Sequence, residues 1–247
     1  MSTVNETVAG LHAVQACLAN DPERVQLLWV QQNRRDGQVA ELLRQAEAAG
    51  ISVQPVSRRE LDQRWPGLRH QGLVAECRPR PRLSEKDLEA ALTGLALPLV
   101  LVLDGVQDPR NLGACMRTAL AAGVDGVVIP RDRAAGLTPA ARKAAAGAAE
   151  TLPLYEVTNL ARSLRMMREL GVFVTGAEAD APTSLYQANL GGPLALALGG
   201  EQKGLRRLTR ELCDQRVHIP QAPGSDSLNV SVAAGVCLFE AVRQRSV

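Results

Sequence analysis

Aromatic side chains are nearly missing from this chain: two Phe, two Tyr and two Trp serve all 247 residues. Such scarcity argues against an RNA surface built on stacked bases. Histidine is as rare, and His12, His70 and His218 stand far apart with no zinc-ligand spacing, so no metal is expected. The five cysteines, Cys17, Cys77, Cys115, Cys213 and Cys237, include no C-x-x-C pair. An odd set of scattered thiols predicts a reduced, cytoplasmic protein rather than a disulfide framework. No basic-then-apolar leader and no apolar run of membrane-spanning length is present, so neither a signal peptide nor a membrane segment is expected. The dinucleotide fingerprint and the P-loop pattern are also absent, which ranks a nucleotide-dependent metabolic enzyme low. Charge of one sign is missing too. The net charge is +2; residues 1–76 hold eight Lys/Arg against nine Asp/Glu, and residues 98–247 hold sixteen against fourteen. Any nucleic-acid site must be a local patch.

What is present centres on residues 99–123. Leu99 to Leu103 is short and wholly apolar, as in a strand buried on both faces. A polar turn crosses Asp108-Pro109-Arg110-Asn111, and Leu112, Cys115, Met116, Ala119 and Leu120 then recur at helical spacing before Gly123. Strand, polar turn and helix form the ligand-presenting corner of an α/β sheet.

Upstream, strand and helix patterns alternate over residues 1–76, predicting a small α/β domain. No catalytic constellation lies there, but Arg34, Arg35, Arg58, Arg59, Arg64 and Arg69 could touch phosphates, or simply face solvent. His70 reads as a packing or turn residue. Residues 77–97 read as a linker: Pro79 and Pro81 alternate with Arg78, Arg80 and Arg82, which would suit a polyanion. Ser84-Glu85-Lys86-Asp87 then starts a helix running to about Leu95. Residues 98–247 form the second domain, with further strands at 126–130, 152–157, 172–176, 194–198 and 216–220. Helices are predicted over 139–149 and 160–170 and at the C-terminus. Gly199-Gly200 reads as a turn that lets backbone approach a ligand closely, and Glu201 as either a buried carboxylate or a helix cap.

Three polar turns carry a resemblance. Asn111-Leu112-Gly113-Ala114-Cys115-Met116-Arg117, Leu198-Gly199-Gly200-Glu201-Gln202-Lys203-Gly204-Leu205, and Ile219-Pro220 with Ser227-Leu228-Asn229-Val230-Ser231 resemble, in order, the three motifs of the SPOUT superfamily. Within it the chain is similar to the SpoU/TrmH group of RNA ribose 2′-O-methyltransferases, and most to the bacterial enzymes that methylate a guanosine ribose of 23S rRNA in the peptidyl-transferase P-loop. The similarity extends from Gly10-Leu11-His12-Ala13-Val14 to Leu238-Phe239-Glu240-Ala241-Val242-Arg243. It implies an RNA-binding domain like ribosomal protein L30e over 1–76, joined to a parallel-sheet methyltransferase domain with a C-terminal trefoil knot. Family members are homodimers using S-adenosylmethionine. Carried onto this chain, the resemblance places the cofactor against Gly199, Gly200, Ile219 and Leu228, with Thr175 and Gly176 beside it. It makes Asn111, Arg117, Glu201, Ser227 and Asn229 the catalytic set. Arg110, seven residues before Arg117, shares its helical face and joins Arg34, Arg35, Arg78 and Arg80 as an expected RNA contact. Gln202, where the family usually has glycine, and Asp226 depart from the pattern. An enzyme acting on tRNA or another rRNA site, and a non-enzymatic ribosome-assembly factor, are the alternative readings.

Overall fold

A strand buried on both faces needs two sets of apolar side chains, and the sequence supplies them by alternation. In Leu99-Val100-Leu101-Val102-Leu103 and Leu194-Ala195-Leu196-Ala197-Leu198 the leucines point to one face and the smaller residues to the other. A computed structural model of the chain describes residues 5–34, 36–201, 203–224 and 227–246. Its contacts resolve two units, Met1–Pro81 with Ala146–Thr151, and Arg82–Ala145 with Leu152–Val247. The residues read as a linker are therefore divided between the two.

The first unit runs β1 (Glu6–Ala9), α1 (Leu11–Asn20), β2 (Val25–Gln31), α2 (Gly37–Ala48), β3 (Ser52–Val56), α3 (Arg58–Arg64) and β4 (Leu73–Cys77). Its sheet has the order β1-β4-β2-β3, with β4 antiparallel to both neighbours and β3 parallel to β2. Strand β1 escaped the sequence reading because four residues carry too little alternation. One face of the sheet buries Val14, Cys17, Leu28, Val39, Leu42 and Leu73 with α1 and α2. The other packs Trp29 and Trp65 edge to face beside Leu61, with the Arg64 guanidinium 4.1 Å over the Trp29 ring. His70 is a turn residue as expected: its Nδ1 accepts the Gly72 N–H at 3.0 Å and its Nε2 lies 2.9 Å from Asp62.

The predicted helix over 139–149 does not run through. It spans Pro139–Ala145, then Ala146 and Gly147 adopt positive φ, and a 3₁₀ turn follows at Ala148–Glu150. This excursion belongs to the first unit. Arg24, 5% exposed, donates from Nη2 to Glu150 Oε2 at 2.9 Å, and Glu150 is 1% exposed. Arg80 donates to the carbonyls of Ala149 and Glu150. Arg24 also lies 3.4 Å from Glu6, so deleting the cation leaves two carboxylates less compensated, and Arg24→Ala is expected to destabilise the first unit by about 3–5 kcal/mol. Urea unfolding followed by tryptophan fluorescence measures it, since both tryptophans lie in this unit.

The second unit runs α4 (Glu85–Leu92), β5 (Leu99–Asp104), α5 (Pro109–Ala121), β6 (Gly126–Pro130), α6 (Pro139–Ala145), β7 (Leu154–Val157), α7 (Leu160–Glu169), β8 (Phe173–Ala177), β9 (Thr183–Ser184), β10 (Leu194–Gly199), α8 (Arg207–Leu212), β11 (Gln215–His218) and α9 (Val230–Arg245). Helix α4 stops at Leu92, short of Leu95, and Gly94 follows at φ 93°. The sheet order is β7-β6-β5-β10-β8-β11-β9, parallel throughout. Val100, Val102, Ala195 and Ala197 meet Leu88, Leu164 and Met167 from α4 and α7 on one face, while α5, α6 and α9 pack together on the other. Gly113 lets α5 and α6 touch, because a Cβ there would sit 2.2 Å from the Ala141 carbonyl oxygen. Strand order reverses its outward progression between β5 and β10, which run parallel and pair Asp104 with Gly199 at their ends. A switch point of this kind opens a crevice at the carboxyl ends of the strands.

At the far end of α9, Glu240 accepts from Arg243 and Gln244, which hold its carboxyl down at about 2. A depressed carboxyl stabilises the fold above its unfolded value and loses that contribution as pH falls through the folded one. Glu240→Gln is therefore expected to flatten the acid limb of stability below about pH 4.5, measured by thermal unfolding across pH.

Candidate active site

Three loops meet at the crevice. Asp108 caps α5 by accepting the Arg110 N–H at 2.8 Å, so Asn111 is free of capping duty. Asn111 donates from Nδ2 to Glu201 Oε1, and its Oδ1 accepts from Asn229 Nδ2 at 3.1 Å. Asn229 in turn caps α9, its Oδ1 accepting the Ser231 N–H at 2.9 Å and hydroxyl at 2.6 Å. Both ends of each amide are used, so the relay Glu201–Asn111–Asn229 fixes the loops after β5, β10 and β11 against one another. Glu201 is neither a buried carboxylate nor a helix cap. It is exposed, and α8 begins only at Arg207.

A cavity of about 360 Å³ opens beside the relay, within the usual range for small-ligand sites. Gly199, Gly200, Ile219, Ser227 and Leu228 line it, with apolar Leu198, Ala177, Val230 and Ala233 and acidic Glu178, Asp180 and Glu201. Glu178 is already committed to Arg210 at 2.7 Å and Arg216 at 3.2 Å. The glycines also let the protein's own backbone segments approach one another. A Cβ on Gly199 would stand 1.9 Å from the backbone carbon of Gly204, and one on Gly200 would stand 2.4 Å from the Gly105 carbonyl oxygen. Thr175 and Gly176 do not line the cavity. Both lie inside β8, where Thr175 is fully buried and accepts from Gln215 Nε2 at 2.9 Å, and Gly176 faces Cys213 and Leu205. The residues after them, Ala177 to Asp180, reach the cavity instead.

Arg117 stands apart from the relay. It is exposed on α5, six residues and about 9 Å along the helix from Asn111. Among the described residues it has no hydrogen-bond or ion-pair partner. Of the expected RNA contacts, Arg110 and Arg78 are exposed, but Arg34 is spent on Asp36 and the Gln71 carbonyl, and Arg80 on the 146–151 excursion. Arg35, Gln202 and Asp226 lie outside the described residues. Cys115, against α5's neighbours, is pushed up to about 12 by burial and by Glu201, which leaves it an inert thiol.

The model of the SpoU rRNA methylase family matches residues 98–239, and that of the RNA 2′-O ribose methyltransferase substrate-binding domain matches residues 7–83. The chain belongs to the SpoU rRNA methylase family. A member from Shewanella oneidensis, named 23S rRNA (guanosine-2′-O-)-methyltransferase RlmB, is 52% identical over 240 residues, covering 97% of this chain and 98% of that one. Among solved structures, the SpoU methyltransferase AviRb from Streptomyces viridochromogenes has a TM-score of 0.82 at 24% identity, over 98% of this chain and 90% of that one. An AdoMet-bound rRNA methyltransferase from Sinorhizobium meliloti has a TM-score of 0.79 at 26% identity, over 98% and 88%. The parallel sheet with its carboxyl-edge crevice is the SPOUT methyltransferase fold of this family. Asp104 and Arg206, not among the site residues expected from the sequence, complete the crevice: Asp104, with a fully buried side chain, accepts the Arg206 N–H at 2.9 Å and forms an ion pair with its Nε at 3.2 Å. An acidic residue ending an apolar strand was the available signal.

Proposed function

We propose that the protein transfers a methyl group from S-adenosylmethionine to the ribose 2′-hydroxyl of a guanosine in 23S rRNA, in the peptidyl-transferase P-loop. The observation that carries this reading is the Glu201–Asn111–Asn229 relay beside a small-ligand cavity, in a chain half identical to enzymes of that name. The cavity suits the cofactor, with Leu198, Ile219 and Leu228 to hold an adenine and glycine backbone to admit the rest. When bound, the cofactor supplies a methyl group already activated as a sulfonium. Asn111 and Glu201 position the ribose at the cavity wall, and Ser227 and Asn229 hold the loop that closes it. Arg117 orients the 2′-oxygen and stabilises the charge that develops on it. An arginine is always protonated near neutrality, which suits it to this role and not to that of a base; the proton leaves to phosphate or water.

Arg117 reaches a site from a second copy of the chain in this reading. It flanks the α5–α9 face, where Val232 is 50%, Phe239 49% and Leu120 39% exposed, a large apolar display for one protein surface. Such a face supports a homodimer. Phe239→Asp with Val232→Asp is expected to give monomers with little methylation, measured by light scattering and a tritium-transfer assay. The N-terminal unit acts as an L30e-like RNA-binding module, and the match of residues 7–83 to a substrate-binding model supports that role. A trefoil knot in the C-terminal segment is supported by β10 lying between β5 and β8, with the loops after β10 and β11 lining one cavity. An rRNA substrate fits a cytoplasmic setting, with 23S rRNA as partner either naked or in a ribosome-assembly intermediate. Mapping ribose methylation on 23S rRNA, assembly intermediates and bulk tRNA incubated with the protein and labelled cofactor tests the reading; methylation confined to tRNA would replace it.

A further inference from the structure

The Gly200–Gly204 turn has a second cavity on its other side. This one measures about 520 Å³ and is lined by Asp104, Asn111, Arg133, Glu201, Lys203 and Arg206, among others. Gly200, Glu201 and Gly204 line both cavities, so the turn is a shared wall. The three carboxylates of the second cavity are already engaged. Asp104 holds Arg206, Asp108 accepts the Arg110 N–H, and Glu201 accepts from Asn111. The cations are not equally engaged. Among the described residues Arg133 and Lys203 have no hydrogen-bond or ion-pair partner. Arg206 is held at its backbone N–H by the buried Asp104 carboxylate, whose Oδ1 lies 3.2 Å from Nε as an ion pair. Among the described residues that oxygen makes no hydrogen bond, and the Arg206 terminal nitrogens have no hydrogen-bond or ion-pair partner; the Arg206 side chain is 42% exposed. Arg133 sits in the left-handed region at φ 61°, on a loop tied to the strand end by the Ala135 N–H to Val106 carbonyl bond of 2.8 Å.

We propose that Arg133 and Arg206 clamp the RNA phosphodiester adjoining the ribose to be methylated, with Asp104 as the positioning residue that sets the Arg206 guanidinium. A guanidinium drawn to a carboxylate at Nε leaves its two terminal nitrogens as a fork for two phosphate oxygens. The clamp lies across the shared wall from the cofactor cavity, with Asn111 and Glu201 between them. That order places phosphate, ribose and methyl donor in sequence. The inference rests on the methyl-transfer reading above and adds to it the group that holds the substrate's backbone.

The test uses full-length protein and 23S rRNA fragments carrying one neutral methylphosphonate at each linkage flanking the target. Arg133→Ala and Arg206→Gln are expected to raise KM for unmodified RNA about tenfold or more, with cofactor affinity by calorimetry unchanged. Each is also expected to reduce the salt slope of RNA binding by about 1. Asp104→Asn keeps the side chain's shape and is expected to raise KM less, with kcat nearly constant. On one methylphosphonate RNA the penalty of the arginine variants disappears, because the contact is already lost. Penalties that persist on every methylphosphonate RNA, or an unchanged KM, overturn the clamp. RNA binding by anisotropy gives the same comparison without turnover, so absence of methylation of 23S rRNA by the wild type would sink the functional reading while the clamp is still decided.

Discussion

Arg117→Ala is expected to lower single-turnover methylation of saturating RNA by about 10²–10³-fold, the loss usual when a preorganised donor to a developing oxyanion is removed. Its side chain has no partner among the described residues and projects from an exposed helix face, so the fold gains little from it. Thermal stability and cofactor affinity should stay within error of the parent. Arg117→Lys keeps the charge but not the planar fork, and partial activity is expected. A second measurement asks from which copy the arginine acts. Mixing Arg117→Ala with Asn111→Ala protein rebuilds one complete site per mixed dimer if the arginine crosses between copies. Roughly a quarter of wild-type activity then returns. No recovery would place Arg117 in its own chain's site, and an unchanged single-turnover rate would remove it from the mechanism.

Gly199→Ala is the second large effect. The added Cβ would stand 1.9 Å from the Gly204 carbon and 2.2 Å from both the Gly204 oxygen and the Leu205 nitrogen. These are backbone atoms, and no rotamer change relieves the contact. The turn must open, breaking the Gly204 N–H to Gly200 carbonyl bond of 3.0 Å and moving the wall shared by both cavities. Overpacking of this kind costs about 1–3 kcal/mol. Cofactor affinity by calorimetry is expected to fall at least about 100-fold, because every loop lining the cavity is referenced to that turn. Gly37→Ala, with nothing within 4 Å of the new Cβ, is the matching change expected to leave both stability and binding near their original values.

The sheet of the second unit was legible because Leu99–Leu103 and Leu194–Leu198 carry their two faces in plain alternation. The helix at 109–121 was legible for a similar local reason, its apolar spacing and its polar entry. Local patterning does not report which exposed arginines are already occupied. Arg34 and Arg80 read as free cations, yet one closes a turn and the other holds a chain segment seventy residues away. The same distance hid the site's internal bonds. Asn111 meets Glu201 across 90 positions and Asp104 meets Arg206 across 102, and nothing in either neighbourhood announces the partner. The three motifs, through resemblance, named the loops that the relay joins; the relay itself is a property of the fold. The break at Ala146 was invisible because alanine is the best helix former, and only tertiary contact forces it into positive φ.

That break bears on the order in which the protein can be made. The first unit is discontinuous: Arg24 is buried early in the chain, and its carboxylate partner Glu150 is translated long after the rest of the unit. At roughly 5–20 residues per second, a nascent chain waits several seconds between Pro81 and Thr151. Through that interval the N-terminal sheet holds a guanidinium without its Glu150 partner. Its final, locked form is therefore a late event of synthesis, and a truncation after residue 81 would keep the sheet's sequence and Glu6, 3.4 Å from Arg24, while discarding the nearer and more deeply buried of the two carboxylates paired with that cation.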